Sequence, residues 1–284
     1  MASPLVGDHA ESVAMDGRRF WKMSGSGNDF VFFDAMREAA GVLASEQQIG
    51  RLCARRTGIG ADGVVFLEPH ARHAFMMRYF NRDGSLAEMC GNAALCSARL
   101  ATDLGIVGRG DFTFETVSGP ITGRFAGDLP EIDMIPVTEQ QTAFSTPLHA
   151  GEVRIGYARV GVPHLVVLVD NVETVDVIHR GTVLRHLPTL ADGANANFVS
   201  RDGSGRWYIR TFERGVEEET LACGTGAVAA AALLTSWKLV DKAATLRTRS
   251  GCDLIAGIGR PPEQASPYLR GEGRVVFDGT LGQI

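Results

Sequence analysis

The sequence lacks any long apolar run. None of its 284 residues belong to a stretch that approaches the roughly 18 consecutive apolar residues of a membrane-spanning helix. The first residues also lack the apolar centre of a secretory signal peptide. We therefore predict a protein of the cytoplasm that does not act at a membrane.

The chain has no excess of positive charge and very little lysine. It carries 28 Lys and Arg against 33 Asp and Glu, and the basic residues are scattered, so nothing predicts a nucleic-acid partner. Lys22, Lys238 and Lys242 are the only lysines, and none has a convincing setting for the Schiff base of a pyridoxal phosphate enzyme. We expect a small-molecule substrate and no cofactor.

The five cysteines show neither a CxxC pair nor a spacing with histidine that is typical of zinc sites. Their odd number in a long chain predicts free thiols rather than a disulfide framework, and no metal. Cys53, Cys96 and Cys252 have no special context, so we predict that they pack in the interior.

Short β-rich runs alternate with turns of Gly, Asn and Asp, which predicts an α+β fold. Helices are predicted over 45–55, 90–103 and 223–237. Residues 1–17 carry no periodic apolar pattern and are predicted to be a disordered extension. We predict a first domain over 18–136, a second over 137–269, and a C-terminal strand within 270–284 that returns to the first.

An internal sequence similarity supports two similar domains. The segment 81–95, NRDGSLAEMCGNAAL, matches 213–228, ERGVEEETLACGTGAV, in having polar residues and a glycine turn before Cys-Gly and a helix. Cys90 and Cys223 lie 223 − 90 = 133 residues apart, close to half the chain. Both halves therefore place the same reactive residue at the same structural position.

A cysteine at a helix start can do acid–base chemistry. The unpaired N–H groups of the first turn and the positive end of the helix dipole favour the thiolate, and the same groups bind carboxylates. If Cys90 and Cys223 lie on opposite faces of an α-carbon, one thiolate removes its proton while the other thiol delivers one. This arrangement would invert the stereocentre without a cofactor.

Eight motifs, in order, resemble the diaminopimelate epimerase family over almost the whole chain. They are KMSGSGNDF (22–30), GIGADG (58–63), FNRDGS (80–85), MCGN (89–92), GVPH (161–164), ANANF (194–198), FERG (212–215) and ACGTGA (222–227). The resemblance implies two pseudo-symmetric domains, each a mixed sheet around a central apolar helix, with the active site in the cleft between them. It further implies a homodimer that interconverts the L,L and meso forms of 2,6-diaminoheptanedioate, in lysine and peptidoglycan-precursor synthesis.

The resemblance also implies roles for individual residues. Cys90 and Cys223 would be the two bases, and Glu213 and His164 would tune their proton states. Substrate-binding roles are implied for Asn28, Asn81, Gly91, Asn92, Asn195, Glu213, Arg214, Gly224 and Thr225.

The sequence departs from the family at two places. Val162 stands where the family usually has the asparagine of a GNPH motif, and GNAAL replaces the usual GNGAR in the first helix. The first change affects recognition of the distal carboxylate, so two alternatives stay open. One is a cofactor-independent racemase of another amino acid on the same fold, and the other is a catalytically inactive binding protein.

Overall fold

The computed structural model describes residues 17–259 and 266–282. The expected N-terminal extension lies outside the described residues, apart from Gly17. The chain forms two compact units, one containing the described residues up to Phe125 and from Gly273 onward, the other Ala126–Glu272. The sequence-based boundaries, after residues 136 and 269, fall at different positions from these.

The first unit is built on one mixed sheet. Its strands are β1 (Arg19–Gly25), β2 (Asn28–Asp34), β3 (Gly63–Glu68), β4 (Met76–Asn81), β5 (Leu86–Ala87), β6 (Phe112–Thr116), β7 (Gly119–Ala126) and β18 (Arg274–Thr280). The order is β18-β1-β2-β3-β4, after which β4 pairs with β5 and β6, and β6 pairs with β7. Only the pairs β2–β3 and β4–β6 are parallel. Helices α1 (Glu46–Cys53) and α2 (Gly91–Asp103) and a 3-10 turn (Gly41–Ala44) complete the unit.

The second unit repeats this plan. Its strands are β8 (Leu129–Asp133), β9 (Val137–Gln141), β10 (Glu152–Val160), β11 (Val162–Val169), β12 (Asn195–Arg201), β13 (Trp207–Glu213), β14 (Glu218–Thr220), β15 (Ala243–Arg247), β16 (Asp253–Gly257) and β17 (Tyr268–Arg270). They pair in the order β9-β10-β11-β12-β13, then β13 with β14 and β15, followed by β16, β17 and β8. The helices are α3 (Val177–Arg185) and α4 (Gly224–Ser236), with a 3-10 turn at Val172–Thr174.

The pairing scheme makes the internal repeat explicit. The parallel pair β2–β3 with its crossover α1 corresponds to β11–β12 with α3, and α2 between β5 and β6 corresponds to α4 between β14 and β15. Strand β18, from the end of the chain, lies beside β1, where the second unit has β9 beside β10. The predicted α+β class is confirmed, and the two units are consistent with the predicted similar halves.

Each unit buries one long helix against its sheet. Ten of the thirteen residues of α2 are buried, and so are ten of the thirteen in α4, whose alanines and leucines leave almost no polar face. A helix that is apolar on all sides must be enclosed by its own fold, as α4 is by the strands of the second unit. No helix among the described residues has the length and apolarity needed to cross a membrane.

Candidate active site

Cys90 is the N-cap of α2, as the sequence predicts. Its backbone is extended (φ −135°, ψ 121°), and its carbonyl accepts the first helical hydrogen bond, from Ala94 N–H at 2.9 Å. The N–H groups of Gly91 and Asn92 belong to the first turn, which has no carbonyl partners within the helix. Cys90 is half-buried, and as the N-cap residue it lies at a helix end that can bind an anion.

A tight hairpin brings Asn28 to this helix end. Ser26 and Gly27 form the two-residue loop between β1 and β2, with φ of 52° and 107°, as hairpins of this length require. Asn28 Oδ1 then accepts a hydrogen bond from Asn92 Nδ2 at 2.5 Å. Gly25 is needed for this approach, since a Cβ there would lie 2.7 Å from the Asn92 carbonyl oxygen.

An ion-pair network holds the other end of Asn28. Asn28 Nδ2 donates to Asp62 Oδ2 at 3.3 Å, and Asp62 Oδ1 accepts from Arg55 at 2.7 Å. Arg55 also binds Asp29, which pairs with Lys22 at 2.7 Å. Burial alone would raise the pKa of Asp29, but the hydrogen bonds from Arg55 and Lys22 outweigh it and lower that pKa to about 2. Asp29 is therefore charged at neutral pH, and the network fixes the amide of Asn28.

Asn81 lies at the end of β4, two strands from Asn28. It pairs with Gly63, and its Nδ2 donates to Ser85 Oγ at 3.1 Å within the turn 81–85. The structure thus gives Asn81 a role in its own turn and places Asn28, Gly91 and Asn92 together beside Cys90.

Cys223 is the N-cap of α4 and repeats the backbone of Cys90, with φ −131° and ψ 112°. Here the sulfur also accepts a hydrogen bond from Gly226 N–H at 3.4 Å and lies 3.6 Å from Thr225 Oγ1. Gly224 and Thr225 supply the first N–H groups of this helix. The second unit therefore holds its sulfur in a defined anion-favouring position.

His164 lies on β11 and is fully buried. Its Nδ1 is 3.3 Å from Asn197 Nδ2, and its Nε2 has no hydrogen-bond partner among the described residues. Burial, with a smaller contribution from the positive charge of Arg214, lowers the pKa of His164 to about 3. The imidazole is neutral over the working range of an ordinary enzyme.

Asn195 begins β12, Glu213 ends the neighbouring strand β13, and Arg214 follows β13 directly. Asn195 Oδ1 accepts from Arg214 N–H at 2.9 Å, and Asn195 Nδ2 donates to the Pro163 carbonyl at 3.1 Å. The Arg214 guanidinium donates to the Asp192 carbonyl at 3.2 Å. Asn195 thus holds the segment after β13 against β11.

The remaining cysteines have other settings. Cys53 and Cys96 are buried, and burial raises the pKa of Cys53 to about 11, so it stays a neutral thiol. Cys252 is half-buried, and its Sγ lies 3.4 Å from Glu272 Oε2.

One cluster in the described part of the chain has the composition of a metal site: His70, His73 and Glu115, with possible ligand atoms within 4.8 Å of one another. His70 Nδ1, however, accepts the main-chain N–H groups of Arg72 and His73 at 3.5 and 3.2 Å. Neutral His70 therefore carries its proton on Nε2, the nitrogen that faces Glu115. Because Nε2 carries the proton, it donates toward the carboxylate and has no lone pair available for a metal ion.

Sequence reasoning missed two residues, Asp62 and Asn197. Both belong to quoted motifs, GIGADG and ANANF, but neither was selected. Strand alternation was the available signal for Asn197, because residues two apart point to the same face and Asn195 was already a candidate. Nothing local distinguishes Asp62, whose contact with Asn28 joins positions 34 residues apart.

Comparison with known proteins gives a consistent result. A family model described as diaminopimelate epimerase matches residues 20–135 and 156–256. The chain is 46% identical over 276 residues to the diaminopimelate epimerase of Gemmatimonas aurantiaca, covering 93% of this chain and 99% of the relative. It is 38% identical over 277 residues to that of Aquifex aeolicus, with 93% and 98% covered.

Solved structures share the fold at low identity. A phenazine biosynthesis protein of the PhzF family from Bacillus anthracis aligns with a TM-score of 0.70 at 15% identity, covering 94% of this chain and 99% of that one. A probable proline racemase from Agrobacterium radiobacter aligns with a TM-score of 0.63 at 16% identity, covering 93% of each chain. At these identities the alignments establish the fold alone.

Proposed function

The chain belongs to the diaminopimelate epimerase family, and from this membership we propose that it interconverts L,L- and meso-2,6-diaminoheptanedioate through Cys90 and Cys223. The family resemblance drawn from the motifs is confirmed by the family model and the curated relatives. The reaction makes the protein an isomerase acting in the synthesis of lysine and of peptidoglycan precursor.

One observation carries the two-thiol proposal. In each unit a half-buried cysteine, three residues after a short strand, is the N-cap residue of a thirteen-residue helix that is largely buried, and the two N-cap residues agree in φ and ψ to within about 10°. Two unrelated packing cysteines have no reason to repeat both the residue and its backbone.

The chemistry follows from the helix ends. One thiolate removes the α-proton while the opposite thiol donates a proton to the other face, so a turnover exchanges the states of Cys90 and Cys223. The N–H groups of Gly91, Asn92, Gly224 and Thr225 bind the carboxylate at the reacting centre and stabilise the charge that builds on it. The mechanism requires a substrate that reaches both thiols at once.

The remaining polar residues are proposed to recognise substrate. Asn28, held by Asp62, would line the reacting centre, while Asn81, Asn195 and Arg214 would contact the distal centre and Glu213 its amine. Arginine suits the distal carboxylate because its planar fork can bind both oxygens. Glu213 and His164 are proposed to tune the proton states of the thiols.

Val162, half-buried at the start of β11, offers no amide for the distal carboxylate. This observation favours, as the second candidate, a racemase of another amino acid on the same fold. Substrate profiling separates the two functions.

We also propose a homodimer in the cytoplasm. None of the five cysteines is part of a disulfide, and two working thiols need a reducing compartment. Among the described residues β18 pairs only with β1, and it exposes Val276 and Phe277, which suit a contact with a second copy. The molar mass in solution by light scattering tests the dimer.

The test of function uses reduced protein, L,L-diaminopimelate and deuterated water, with no cofactor added. We expect deuterium at the α-carbon and formation of the meso product. The double variant Cys90→Ala/Cys223→Ala should give neither. Exchange of a different amino acid with none of diaminopimelate would support the racemase. Ligand binding without any exchange would support an inactive binding protein.

A further inference from the structure

A buried amide connects His164 with the first turn of α4. Asn197 lies on β12, fully buried, with Nδ2 3.3 Å from His164 Nδ1 and 3.0 Å from the Leu165 carbonyl oxygen. Its Oδ1 accepts the Thr211 hydroxyl at 3.0 Å. The amide therefore contacts three polar groups within the second unit.

These partners fix which way the amide points. The Leu165 carbonyl can only accept a hydrogen bond, so the Asn197 atom facing it must be the nitrogen. The reversed amide would set two oxygens against each other at this distance. The second Nδ2 hydrogen is then left for His164 Nδ1.

The first turn of α4 packs against the same amide. A Cβ on Gly226 would lie 2.2 Å from Asn197 Oδ1 and 3.2 Å from Cys223 Sγ, so the amide oxygen packs against the helix backbone at this glycine. Gly226 is also the residue whose N–H donates to Cys223 Sγ. The amide thus lies between the imidazole and the turn that holds the thiol.

A ring nitrogen that accepts from an amide carries no proton, so the proton of neutral His164 is on Nε2. We propose that Asn197 is a positioning residue that holds His164 in the Nε2–H tautomer, so that His164 serves the active site as a hydrogen-bond donor and not as a base. This inference rests on the proposed function for its catalytic part. Its structural part stands without it.

The Nε2–H group of His164 can donate a hydrogen bond only when an acceptor binds beside it. Nε2 is buried and has no partner among the described residues, and an unpaired N–H in dry surroundings is costly. The lowered pKa of His164 keeps the ring neutral, so its one proton cannot be supplemented from solvent. The natural acceptor is an anion of the catalytic cycle, either a thiolate or a substrate carboxylate.

Nitrogen-15 NMR of histidine-labelled protein without substrate tests the structural part. Comparison with the spectrum of His164→Gln assigns the signals among the seven histidines of the chain. We expect the protonated nitrogen of His164 to be Nε2 and Nδ1 to have the shift of a bare acceptor. A proton on Nδ1, or on both nitrogens at neutral pH, would overturn the proposal.

The catalytic part is tested with Asn197→Asp, whose carboxylate accepts but cannot donate. We expect the His164 proton to move to Nδ1 and kcat to fall about tenfold or more, with a much smaller change in KM. The control is Asn171→Asp, since Asn171 caps the turn Val172–Thr174 through its oxygen, which aspartate retains. An unchanged tautomer in Asn197→Asp, or a fall in kcat no larger than in the control, would contradict the role.

Thr211→Val keeps the test decisive if the aspartate variant does not fold. It leaves Asn197 in place but removes the hydroxyl that holds Oδ1, so we expect partial loss of the Nε2–H signal with a proportional fall in kcat. Full activity with a mixed tautomer would overturn the catalytic part. If the parent shows the expected tautomer but epimerises nothing, the proposed function fails and the tautomer assignment stands.

Discussion

The two units use the same strand positions for different chemistry. In the first, Phe30 of β2 pairs with Gly63 of β3, whereas in the second the equivalent pair is His164 and Asn195. Two residues further along, Val65 occupies the position of Asn197. Both units have the long helix with a cysteine at its N-cap, but the buried residues on the parallel strand pair differ between them.

The polar groups of the first unit lie elsewhere. Asn28 and Asn92 meet at the β1–β2 hairpin, supported by a charged network around Asp62, while the buried residues of β2 and β3 are apolar. The sulfur of Cys223 accepts a hydrogen bond from an N–H of α4, whereas Cys90, the N-cap residue of α2, makes no side-chain capping hydrogen bond to that helix. The two units therefore share the N-cap cysteine and the helix that follows it. The polar groups around the two thiols are different.

The largest expected effect comes from removing one thiol at a time. Cys90→Ala and Cys223→Ala should each reduce epimerisation by about a thousandfold or more, because inversion needs a proton carrier on both faces. The remaining thiolate should still exchange the α-proton of one stereoisomer without inverting it. We expect the two variants to select opposite stereoisomers in deuterium exchange, measured separately for the L,L and meso forms. Loss of exchange for the same isomer in both would contradict opposed thiols.

Gly226 and Ala93 hold the same position in α4 and α2. Gly226→Ala should lower the free energy of unfolding by about 1–3 kcal/mol, since the new Cβ collides with Asn197 Oδ1. Ala93→Gly should cost about 1 kcal/mol through helix propensity. Urea unfolding of both variants measures the difference. No loss of stability in Gly226→Ala would mean that the close contact at Gly226 is not a constraint.

The units should also lose stability in different pH ranges. The pKa of His164 is lowered from 6.5 to about 3, so the unfolded chain binds a proton first and stability falls as pH drops from about 6.5 to about 3. The pKa of Asp29 is lowered from 3.8 to about 2, so its contribution is complete above about 3.8 and is lost as pH falls toward 2. Urea unfolding at a series of pH values measures this. His164→Gln should reduce the pH dependence of stability in the upper range, and Asp29→Asn should reduce it in the lower range. Identical pH profiles in the two variants would contradict this division.

The smallest effect is expected at Asp62. Asp62→Ala frees the Asn28 amide to rotate, which should raise KM about fivefold with less change in kcat, because binding rather than proton transfer is weakened. Asp103→Ala, an exposed change at the end of α2, is the matched control. A KM equal to that of the control would mean that Asp62 does not contribute to substrate binding.

The elements that could be predicted from sequence are those with strong local patterns. Helices α2 and α4 begin and end within one residue of the predicted bounds, because Cys-Gly starts and alanine-rich interiors mark them. Helix α3 was missed because its buried face includes Arg180 and Gly181, which disguise the apolar pattern.

The candidate site divides in the same way. Cysteines at helix starts are local features, so the sequence shows them directly. The contacts from Asp62 to Asn28 and from Asn197 to His164 join distant segments, and only the parallel crossovers bring them together.

The position of β18 has a consequence for biosynthesis. The strand that completes the first sheet is translated after the whole of the second unit, although it pairs with β1 at the other end of the chain. On the ribosome, the second unit has all its strands before the first unit has its last one. Until then β1 leaves one edge uncovered, so the half that is made first is finished last.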